Sequence, residues 1–396
     1  MTKSADSVSP LVRIGIAGFG TAGRSFVPAI QSHPGFELVA FAEPAPQIRS
    51  EIAAELGAAA YVSLSDMLAH PGLDAVYIAT PTVMHGEHVS QALQAGKHVL
   101  VEKPMAVNVA HARSMVDAAK AAGRVFVVGH SHGYDMPIQE MRRLIAGGTL
   151  GRVRMVNTSC YTDWMLRPRR NDELDISLGG GVTYRQGSHQ FDIIRTLCGG
   201  LARSVRARTF DWNPVKPGLG AHMVFLDFED GAAACAVYNG YGAFSSVDLC
   251  FNITESGFEQ PSEYGPRPVA AGNASPDDVI RAKQERAKKA NWAKAPFQPI
   301  FGLTLVSCER GEIRQSPNGL LVYSDEGMSE ITLSTDRSPR DLVLREMHDA
   351  ITGKMPALHD AAWGLANLEV CDAAIESSAT GREVLLQHQV ALRDGR

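Results

Sequence analysis

The sequence predicts an α/β protein in which a doubly wound parallel sheet is followed by an α+β domain with a mainly antiparallel open sheet. Apolar runs alternate with helix-like stretches over residues 11–130, and a glycine-rich turn follows the first run. After residue 130, strand-like runs are joined by turns. Alternation is typical of parallel sheets, whereas strands joined by turns are typical of antiparallel ones. We therefore predict three parts: a ligand-binding sheet at 1–130, an α+β domain at 131–340, and helices at 341–396 that pack back on both.

The bulk composition excludes several classes of protein. The chain has 396 residues, of which 45% are hydrophobic and 20% charged, as in ordinary globular proteins. A net charge of −5 without Lys/Arg-rich runs gives no support for binding nucleic acid or a membrane surface. No signal peptide and no apolar span of about 18 residues is visible. The six scattered cysteines lack a C-x-x-C pair, so we expect reduced thiols, no metal site and a cytoplasmic protein.

A glycine motif joins the first predicted strand, LVRIGIA, to the first predicted helix, RSFVPAIQSH. In this strand–turn–helix setting a G-x-G-x-x-G motif predicts a Rossmann dinucleotide-binding fold. Gly18 permits the tight turn, Gly20 lets the backbone approach a pyrophosphate, and Gly23 lets the helix pack on the strand. The helix N-terminus then offers N–H groups to the phosphates. The predicted cofactor-binding turn consists of Gly18, Phe19, Gly20, Thr21, Ala22 and Gly23.

Glu43 ends the second predicted strand, FELVAFAE. A carboxylate at this place accepts hydrogen bonds from the adenine-ribose hydroxyls and repels a 2′-phosphate. Arg49 follows Pro44 and Pro46 and is a poor candidate for binding that phosphate. The sequence therefore predicts NAD as the cofactor in preference to NADP.

The alternation of strands and helices continues to residue 130. LDAVYIATPT, KHVLVEKP and RVFVVGH predict strands, while HGEHVSQALQAG and VAHARSMVDAAKAAG predict helices. LGAAAYVSLSDMLAHPG predicts a short strand and a helix. Ligands collect at the carboxyl ends of such strands, where Thr80 and Lys103 lie.

The second part contains four strand-like runs: RVRMVNTSCYTDW, ARSVRARTFDW, AHMVFLDFEDGAAACAVYNGY and FSSVDLCFNITES. Within residues 255–300, which are rich in Pro, Gly, Ser and charge, Ser275 and Pro276 begin a predicted helix that runs to Lys294; a flexible loop is the alternative. Residues 340–354 and 361–381 predict amphipathic helices.

Four segments carry a family resemblance: GFGTAG, ATPTVMH, GKHVLVEKP and GGGVTYRQGSHQFDIIRTLCGG. They resemble the glucose–fructose oxidoreductase / inositol dehydrogenase / rhizopine-catabolism (Gfo/Idh/MocA) family of NAD(P)-dependent oxidoreductases. The resemblance implies that Lys103 lies beside the nicotinamide as the base, after which a cis peptide bond leads to Pro104, and that His189 faces the substrate. It implies a homo-oligomer, a dimer or tetramer, formed through the open sheet. The remaining cofactor contacts that we predict are Thr80, Pro81, His85 and Glu102.

The residues themselves leave alternatives for both catalytic candidates. An ammonium at a strand end near NAD⁺ loses its proton more easily than a free lysine, whose pKa is about 10.4. The alternative for Lys103 is a solvated surface lysine, and for His189 a structural histidine.

Arg185 departs from the family pattern. Many members that oxidise sugars or polyols carry an aspartate four residues before the histidine, where this chain has Arg185. On a helix, Arg185, His189 and Asp192 share one face. Asp192 pairs with His189 or caps backbone groups on this reading. A guanidinium matches a carboxylate in shape and charge.

The segment upstream adds further cations, although a basic surface loop is the alternative. We predict a small anionic, aromatic-derived substrate with more than one carboxylate. The expected substrate-binding residues are Arg185, Arg167, Arg169, Arg170 and Trp164.

Within the family, TYRQGSHQFD and residues 301–327 resemble the phthalate cis-dihydrodiol dehydrogenases. This resemblance implies NAD-dependent oxidation of phthalate cis-4,5-dihydrodiol to 4,5-dihydroxyphthalate, with Lys103 as the base. Two alternatives stay open: a sugar-acid or inositol-type dehydrogenase of the same family, and a non-catalytic NAD-binding regulator.

Overall fold

The fold begins with a parallel sheet of six strands. A computed structural model describes residues 10–214, 216–262, 276–289 and 294–393. The strands of this sheet are β1 (Val12–Ala17), β2 (Phe36–Ala42), β3 (Ala59–Tyr61), β4 (Ala75–Ile78), β5 (His98–Val101) and β6 (Phe126–Val128). Their spatial order is β3-β2-β1-β4-β5-β6, and all neighbours run parallel. The order reverses between β1 and β4, which is the point where doubly wound sheets bind ligands. The predicted Rossmann architecture is confirmed.

Helices cover both faces of this sheet, so its central strands are buried on both sides. Every residue of β4 is buried, in keeping with the continuous apolar run AVYI. The helices between the strands are α1 (Thr21–Ser32), α2 (Pro46–Leu56), α3 (Leu64–Leu68), α4 (Thr82–Gln94) and α5 (Val109–Ala122).

The second sheet has nine strands and is mainly antiparallel. After α6 (Met136–Ala146), its strands are β7 (Val153–Tyr161), β8 (Ala202–Phe210), β9 (Ala221–Phe228), β10 (Ala233–Asn239), β11 (Leu303–Cys308), β12 (Gly311–Ser316), β13 (Gly319–Ser324), β14 (Gly327–Thr332) and β15 (Val384–Leu385). The order is β14-β13-β12-β11-β7-β10-β9-β8-β15. All neighbours are antiparallel except β7 and β10, which run parallel. The predicted open sheet is thus confirmed, with one parallel pair inside it. Between β7 and β8 lies α7 (Ser188–Leu197).

One predicted strand is wrong. The run FSSVDLCFNITES contains a 3₁₀-helix, Ser246–Cys250, and no strand of the second sheet. Its first turn is capped by the hydroxyl of Ser245, which accepts from the N–H of Val247. Phe251 and Asn252 then have φ angles of 58° and 61°. These left-handed conformations end the turn and are incompatible with an extended strand.

Three further helices complete the chain: α8 (Pro276–Lys289), α9 (Pro339–Ile351) and α10 (Ala361–Thr380). The predicted helix from Pro276 is confirmed, and residues 290–293, which we expected to continue it, lie outside the described residues. α9 packs through Val343, Leu344 and Met347 on the apolar side of α1.

The last long helix, α10, lies between α5 of the first sheet and β8 of the second. It is buried on several sides, because both layers cover it, and so lacks the single apolar stripe that the sequence predicts. The division of the chain into three parts, at residues 130 and 340, stays a prediction. Of the helices in the described ranges, none has the length and apolar character that a bilayer crossing requires.

Candidate active site

The glycine turn leaves the N-terminus of α1 open. Gly18 has a φ of +90°, and a Cβ there would lie 2.8 Å from the carbonyl oxygen of Ala79. A Cβ on Gly23 would lie 2.1 Å from the carbonyl oxygen of Gly18, which explains why the helix can approach the strand only with glycine. A Cβ on Gly20, in contrast, would meet no atom within 4 Å, and no side chain caps the helix. This open helix N-terminus fits a pyrophosphate.

The other residues of the turn offer backbone groups. The ring of Phe19 is buried and packs edge-on against Phe41 at 5.3 Å. Thr21 and Ala22 form the first turn of α1, where the carbonyl oxygen of Ala22 accepts from the hydroxyl of Ser25 at 2.7 Å. The part of the turn that faces a ligand is therefore main chain.

Glu43 lies directly against this turn. Its carboxylate accepts hydrogen bonds from the N–H groups of Phe19 at 3.3 Å and Ala45 at 3.1 Å. Arg49 donates to the carbonyl oxygens of Glu43 at 2.7 Å and Pro44 at 3.0 Å. The carboxylate thus stands at the end of β2, while the nearby guanidinium is engaged by backbone. This arrangement fits the adenine ribose of NAD.

The ring of His85 lies between the segments that follow β4 and β5. The ring lies 2.9 Å from the carbonyl oxygen of Thr80 and 3.0 Å from that of Pro104, through its two different nitrogens. Burial lowers the pKa of His85 to about 4, so the neutral ring donates to one carbonyl at a time. Pro81 is the N-cap of α4, and the hydroxyl of Thr80 lies 2.9 Å from His88. A direct contact of His85 with a cofactor stays a prediction.

Lys103 follows β5 and reaches the second domain. Its Nζ donates to the carbonyl oxygen of Arg185 at 2.6 Å. Glu102 beside it accepts from the hydroxyl of Tyr77 at 2.6 Å. The bond between Lys103 and Pro104 is cis, as the family resemblance implies. Burial lowers the pKa of Lys103, Glu102 opposes this effect and the charge of Arg185 adds to it, so that the pKa is about 8. Such an amine is a competent base near neutral pH.

His189 lies on α7 close to Lys103. Burial, followed by the positive charge of Lys103, holds the pKa of His189 well below its ordinary value. Its Nδ1 is buried without a hydrogen-bond partner. The ring packs edge-on against His132 at 4.6 Å between centroids and against Phe301 at 5.1 Å. The structure therefore brings a neutral imidazole and a lysine of lowered pKa to one place.

The turn before α7 is a π-helix, Thr183–Gly187, and it carries Arg185. The Nη2 atom of Arg185 lies 3.5 Å from the carbonyl oxygen of Asp172 and 3.7 Å from its carboxylate. The Nε atom is buried without a partner. Burial lowers the pKa of this guanidinium, and the charges of Glu173 and Asp172 oppose the effect. π-turns of this kind often occur at functional sites.

Asp192 does not pair with His189. Its carboxylate accepts from the indole N–H of Trp363 at 2.7 Å and lies 3.5 Å from His359. His359 in turn lies 3.5 Å from Glu346. Burial disfavours the imidazolium, but Asp192 and Glu346 outweigh it and raise the pKa of His359 to about 9. The predicted pairing of Asp192 with His189 is thus wrong, because Trp363 and His359 are its partners, while Arg185 contacts Asp172.

Between β7 and the π-turn, the chain forms three 3₁₀ turns at Trp164–Leu166, Asn171–Glu173 and Ile176–Leu178. Two of the predicted substrate arginines on this segment are paired locally. Arg167 donates to Asp163 at 2.7 Å. Arg170 forms two parallel hydrogen bonds with Asp172, each of 2.8 Å. A substrate carboxylate must compete with these acids.

Arg169 is held differently. Its guanidinium lies 3.9 Å above the ring of Trp164 and donates to the carbonyl oxygen of the same residue at 3.1 Å. It also lies 3.4 Å from Glu173, which Lys283 of α8 contacts at 2.5 Å. Burial raises the pKa of Glu173, but Lys283 and Arg169 outweigh it and lower it to about 2. No local pattern predicts the contact of Lys283 with Glu173, because the two residues are 110 positions apart.

The described cysteines form no disulfide bond. All six cysteines are free, and five of them are buried. The histidine, cysteine and acidic side chains nowhere gather there into a group of three that could hold a metal ion.

Comparison with known proteins places this geometry in a family. The profile described as an oxidoreductase family with an NAD-binding Rossmann fold matches residues 12–130, and the GFO/IDH/MocA C-terminal domain matches residues 138–256. The 1-carboxy-3-chloro-3,4-dihydroxycyclohexa-1,5-diene dehydrogenase of Comamonas testosteroni is 33% identical over 378 residues, covering 92% of this chain and 94% of that protein. The chain belongs to the Gfo/Idh/MocA family.

Two further members show how far the likeness extends. A protein from Bordetella bronchiseptica RB50 with a known crystal structure is 40% identical and has a TM-score of 0.88, and the match covers 95% of this chain and 100% of that one. The NAD⁺-dependent scyllo-inositol 2-dehydrogenase of Bacillus subtilis is 28% identical over 230 residues, covering 56% of this chain and 65% of that protein. This Gfo/Idh/MocA protein is an NAD-dependent oxidoreductase, which removes the alternative of a non-catalytic regulator.

Proposed function

We propose that this Gfo/Idh/MocA enzyme oxidises the cis-dihydrodiol of a carboxylated aromatic ring, with phthalate cis-4,5-dihydrodiol as the substrate and 4,5-dihydroxyphthalate as the product. The observation that carries the proposal is Arg185. Its guanidinium is largely buried and, among the residues that the structure describes, contacts Asp172 at 3.5 Å and 3.7 Å and leaves Nε without a hydrogen-bond partner. A buried cation of this kind is stabilised by an anionic ligand.

The proposed chemistry begins at Lys103. Bound NAD⁺ supplies the hydride acceptor. The neutral amine of Lys103 takes the hydroxyl proton as the hydride leaves the same carbinol carbon, so the electron pair of the O–H bond becomes the new C=O bond. The contact with the carbonyl oxygen of Arg185 fixes the Nζ position at 2.6 Å. A lysine with a pKa of about 8 is present in both protonation states near neutral pH.

His189 supports this step by its position. The buried neutral ring offers nitrogen atoms to the substrate and adds no positive charge that would compete with Lys103. The resulting hydroxy-dienone then tautomerises to a catechol. Because aromatisation is strongly favourable, orientation and proton transfer are the main demands on the protein.

The proposed carboxylate site combines Arg185 with the 3₁₀ segment. Arg169 is stacked on Trp164 and shares Glu173 with Lys283, so its position is well defined. The named substrate of the Comamonas testosteroni relative is a carboxylated dihydroxycyclohexadiene, which supports this substrate class. The similarity to scyllo-inositol 2-dehydrogenase favours an inositol-type or sugar-acid substrate instead. The buried arginine fits a sugar acid, but not a neutral polyol.

The test is NADH formation with cis-dihydrodiols that carry two, one or no carboxylates, together with a sugar acid and an inositol. We expect turnover to fall in the order two, one, none. Arg185→Ala should lower kcat/KM for the dicarboxylate by about tenfold to a hundredfold, mainly through KM. Arg185→Lys should restore part of this loss, because it keeps the charge without the planar fork.

The diol without carboxylates is the matched control. Because the charge of Arg185 lowers the pKa of Lys103, the comparison is made at pH 9.5, where the amine is largely neutral, and there the Arg185 variants should turn this diol over as the wild type does. Equal losses for both diols would show that Arg185 is structural. Turnover of the sugar acid in preference to every diol would replace the proposal by its alternative.

We also propose a cytoplasmic homo-oligomer. The free cysteines support a reducing compartment. The outer face of the second sheet exposes large apolar side chains, among them Met155, Met223 and Phe225 at 52%, 53% and 44%. Such a patch is typical of an interface. Sedimentation equilibrium tests the oligomer, and a monomer at micromolar concentration would contradict it.

A further inference from the structure

A carboxylate–imidazole pair lies next to His189. Asp135 Oδ2 is 3.1 Å from Nδ1 of His132, and the ring of His132 packs against His189 at 4.6 Å and against Phe301 at 4.3 Å. His132 belongs to a 3₁₀ turn, Ser131–Tyr134, directly after β6. The pair therefore lies at the carboxyl edge of the parallel sheet, on the side where the cofactor and the substrate meet.

The side chain of Asp135 contacts His132 and does not cap the helix that it precedes. Asp135 is the N-cap residue of α6, but its side chain accepts no capping hydrogen bond. The usual cap would stabilise the helix. The carboxylate is 1% exposed, and its Oδ1 has no hydrogen-bond partner. Burial raises the pKa of Asp135, and His132 is the largest influence that lowers it. Asp135 is thus a buried carboxylate, which is energetically unfavourable, and among the described residues its side chain contacts the imidazole of His132.

The site needs a second base after the hydride has left. Lys103 is protonated at that stage and cannot accept another proton. His189 is a poor acceptor, because burial and the adjacent Lys103 charge disfavour its imidazolium. His132 differs in that Asp135 can compensate its positive charge. Its side chain is also 15% exposed, so a proton can pass from it to solvent.

We propose that His132, oriented by Asp135, is the second base of this site and takes the ring proton that leaves when the oxidised substrate aromatises. This inference rests on the proposed dihydrodiol substrate. The C–H bond at the second carbinol carbon breaks, and its electron pair becomes a ring double bond. The carbonyl oxygen takes a proton from the ammonium of Lys103 and becomes the second phenolic hydroxyl. His132 becomes an imidazolium and then releases its proton to water.

Several charged groups lie around Asp135 and the adjacent His189. Lys103 after β5, His130 after β6 and Arg340 on α9 act on His189, and Arg340 also acts on Asp135. Glu255, which follows the 3₁₀-helix after β10, opposes ionisation of Asp135. Phe301, which stacks on His132, carries no charge.

The experiment separates the two proton transfers in time. Rapid mixing of enzyme, NAD⁺ and phthalate cis-4,5-dihydrodiol follows NADH and 4,5-dihydroxyphthalate by their separate absorbances. In His132→Gln, NADH should form at the wild-type rate, whereas the catechol should appear about a hundredfold more slowly. Asp135→Asn should delay the catechol in the same way. Added imidazole should restore its formation in His132→Ala, which a structural role would not permit.

His348→Gln is the control, since it removes another buried histidine whose ring contacts the backbone of Pro10 at 2.9 Å. In this variant, NADH and the catechol should form at the same rate, as in the wild type. Catechol that appears in step with NADH at the wild-type rate in His132→Gln would overturn the inference while leaving the substrate proposal intact. A wild-type enzyme that forms no NADH from any carboxylated dihydrodiol would instead overturn the proposed function, and this inference with it.

Discussion

At the scale of single residues, Lys103 carries the most direct prediction. Because burial lowers its pKa to about 8, the fraction of free amine rises with pH up to that value. We therefore expect kcat/KM to rise about tenfold per pH unit below pH 8 and to level off above it. Lys103→Ala should lower kcat by about a hundredfold or more. Its NAD affinity, measured by quenching of tryptophan fluorescence, should stay near that of the wild type.

A profile that is flat between pH 6.5 and 9 would show that Lys103 is not the base. Near-wild-type turnover in Lys103→Ala would lead to the same conclusion, whichever substrate is used.

Glu43 predicts the choice of cofactor. Its carboxylate contacts the glycine turn, so a 2′-phosphate on the adenine ribose would face a like charge. We expect kcat/KM to be at least about tenfold higher with NAD⁺ than with NADP⁺, which corresponds to about 1.4 kcal/mol. Glu43→Ser should narrow this ratio, whereas Glu87→Ser, on the exposed side of α4, should leave it unchanged. A wild-type preference for NADP⁺ would place the ribose elsewhere.

At the scale of elements, α8 is attached to the substrate segment by a buried ion pair. Glu173 is 8% exposed and Lys283 28% exposed. Lys283→Met should leave the carboxylate short of one partner and lower the free energy of unfolding by about 1–3 kcal/mol at pH 7. Lys294→Met is the matched control, since its partner Asp336 is 75% exposed, and an exposed pair contributes little. Urea unfolding compares the two variants. Equal effects would show that the buried pair does not hold α8.

Helices and strands that pack on elements close to them in sequence could be predicted. Elements whose conformation or pairing depends on residues far away in the sequence could not. The alternation up to residue 130 and the turn at Gly18 predict the parallel sheet, because each strand there is next to its own crossover helix. Nothing local shows that β7 pairs in parallel with β10. The apolar alternation in FSSVDLCFNITES imitates a strand, although Phe251 and Asn252 adopt left-handed conformations.

The site follows the same rule. The strand-end position and the family motif predict Lys103 and His189. The partners of Asp192 could not be predicted, because Trp363 on α10 and His359 just before α10 lie about 170 positions away in the sequence. His132 and Asp135 are three positions apart, and this H-x-x-D spacing was the one local signal of the pair that could have been noticed.

At the scale of the whole molecule, the buried charge of His359 predicts a loss of stability in alkali. The pKa of this imidazole is raised from 6.5 to about 9 in the folded protein. Its contribution is therefore fully present below pH 6.5, declines as the pH rises, and is lost above about 9. The shift corresponds to about 3 kcal/mol. Unfolding by urea at pH 6 and pH 9.5 should show this loss in the wild type.

His359→Gln is the comparison, because other groups titrate in both proteins and cancel in the difference. The variant should lose about 3 kcal/mol less than the wild type over the same interval. If His359→Gln does not fold, Asp192→Asn replaces it, because this variant removes one of the two carboxylates that raise the pKa of His359. The loss of unfolding free energy between pH 6 and pH 9.5 should then be smaller than in the wild type, by part of the ~3 kcal/mol. An identical pH dependence in all proteins would show that His359 is neutral.

The three 3₁₀ turns between β7 and the π-turn belong to neither sheet. Their side chains select the substrate in our proposal, whereas the glycine turn and Lys103 follow strands of the parallel sheet and His189 lies on α7. In that proposal, a mutation in this segment changes substrate contacts and leaves the cofactor contacts in place. Natural selection can revise it residue by residue while the hydride chemistry is inherited unchanged. One ancestral dehydrogenase can in this way give rise to enzymes that oxidise different substrates and so give their hosts access to different carbon sources.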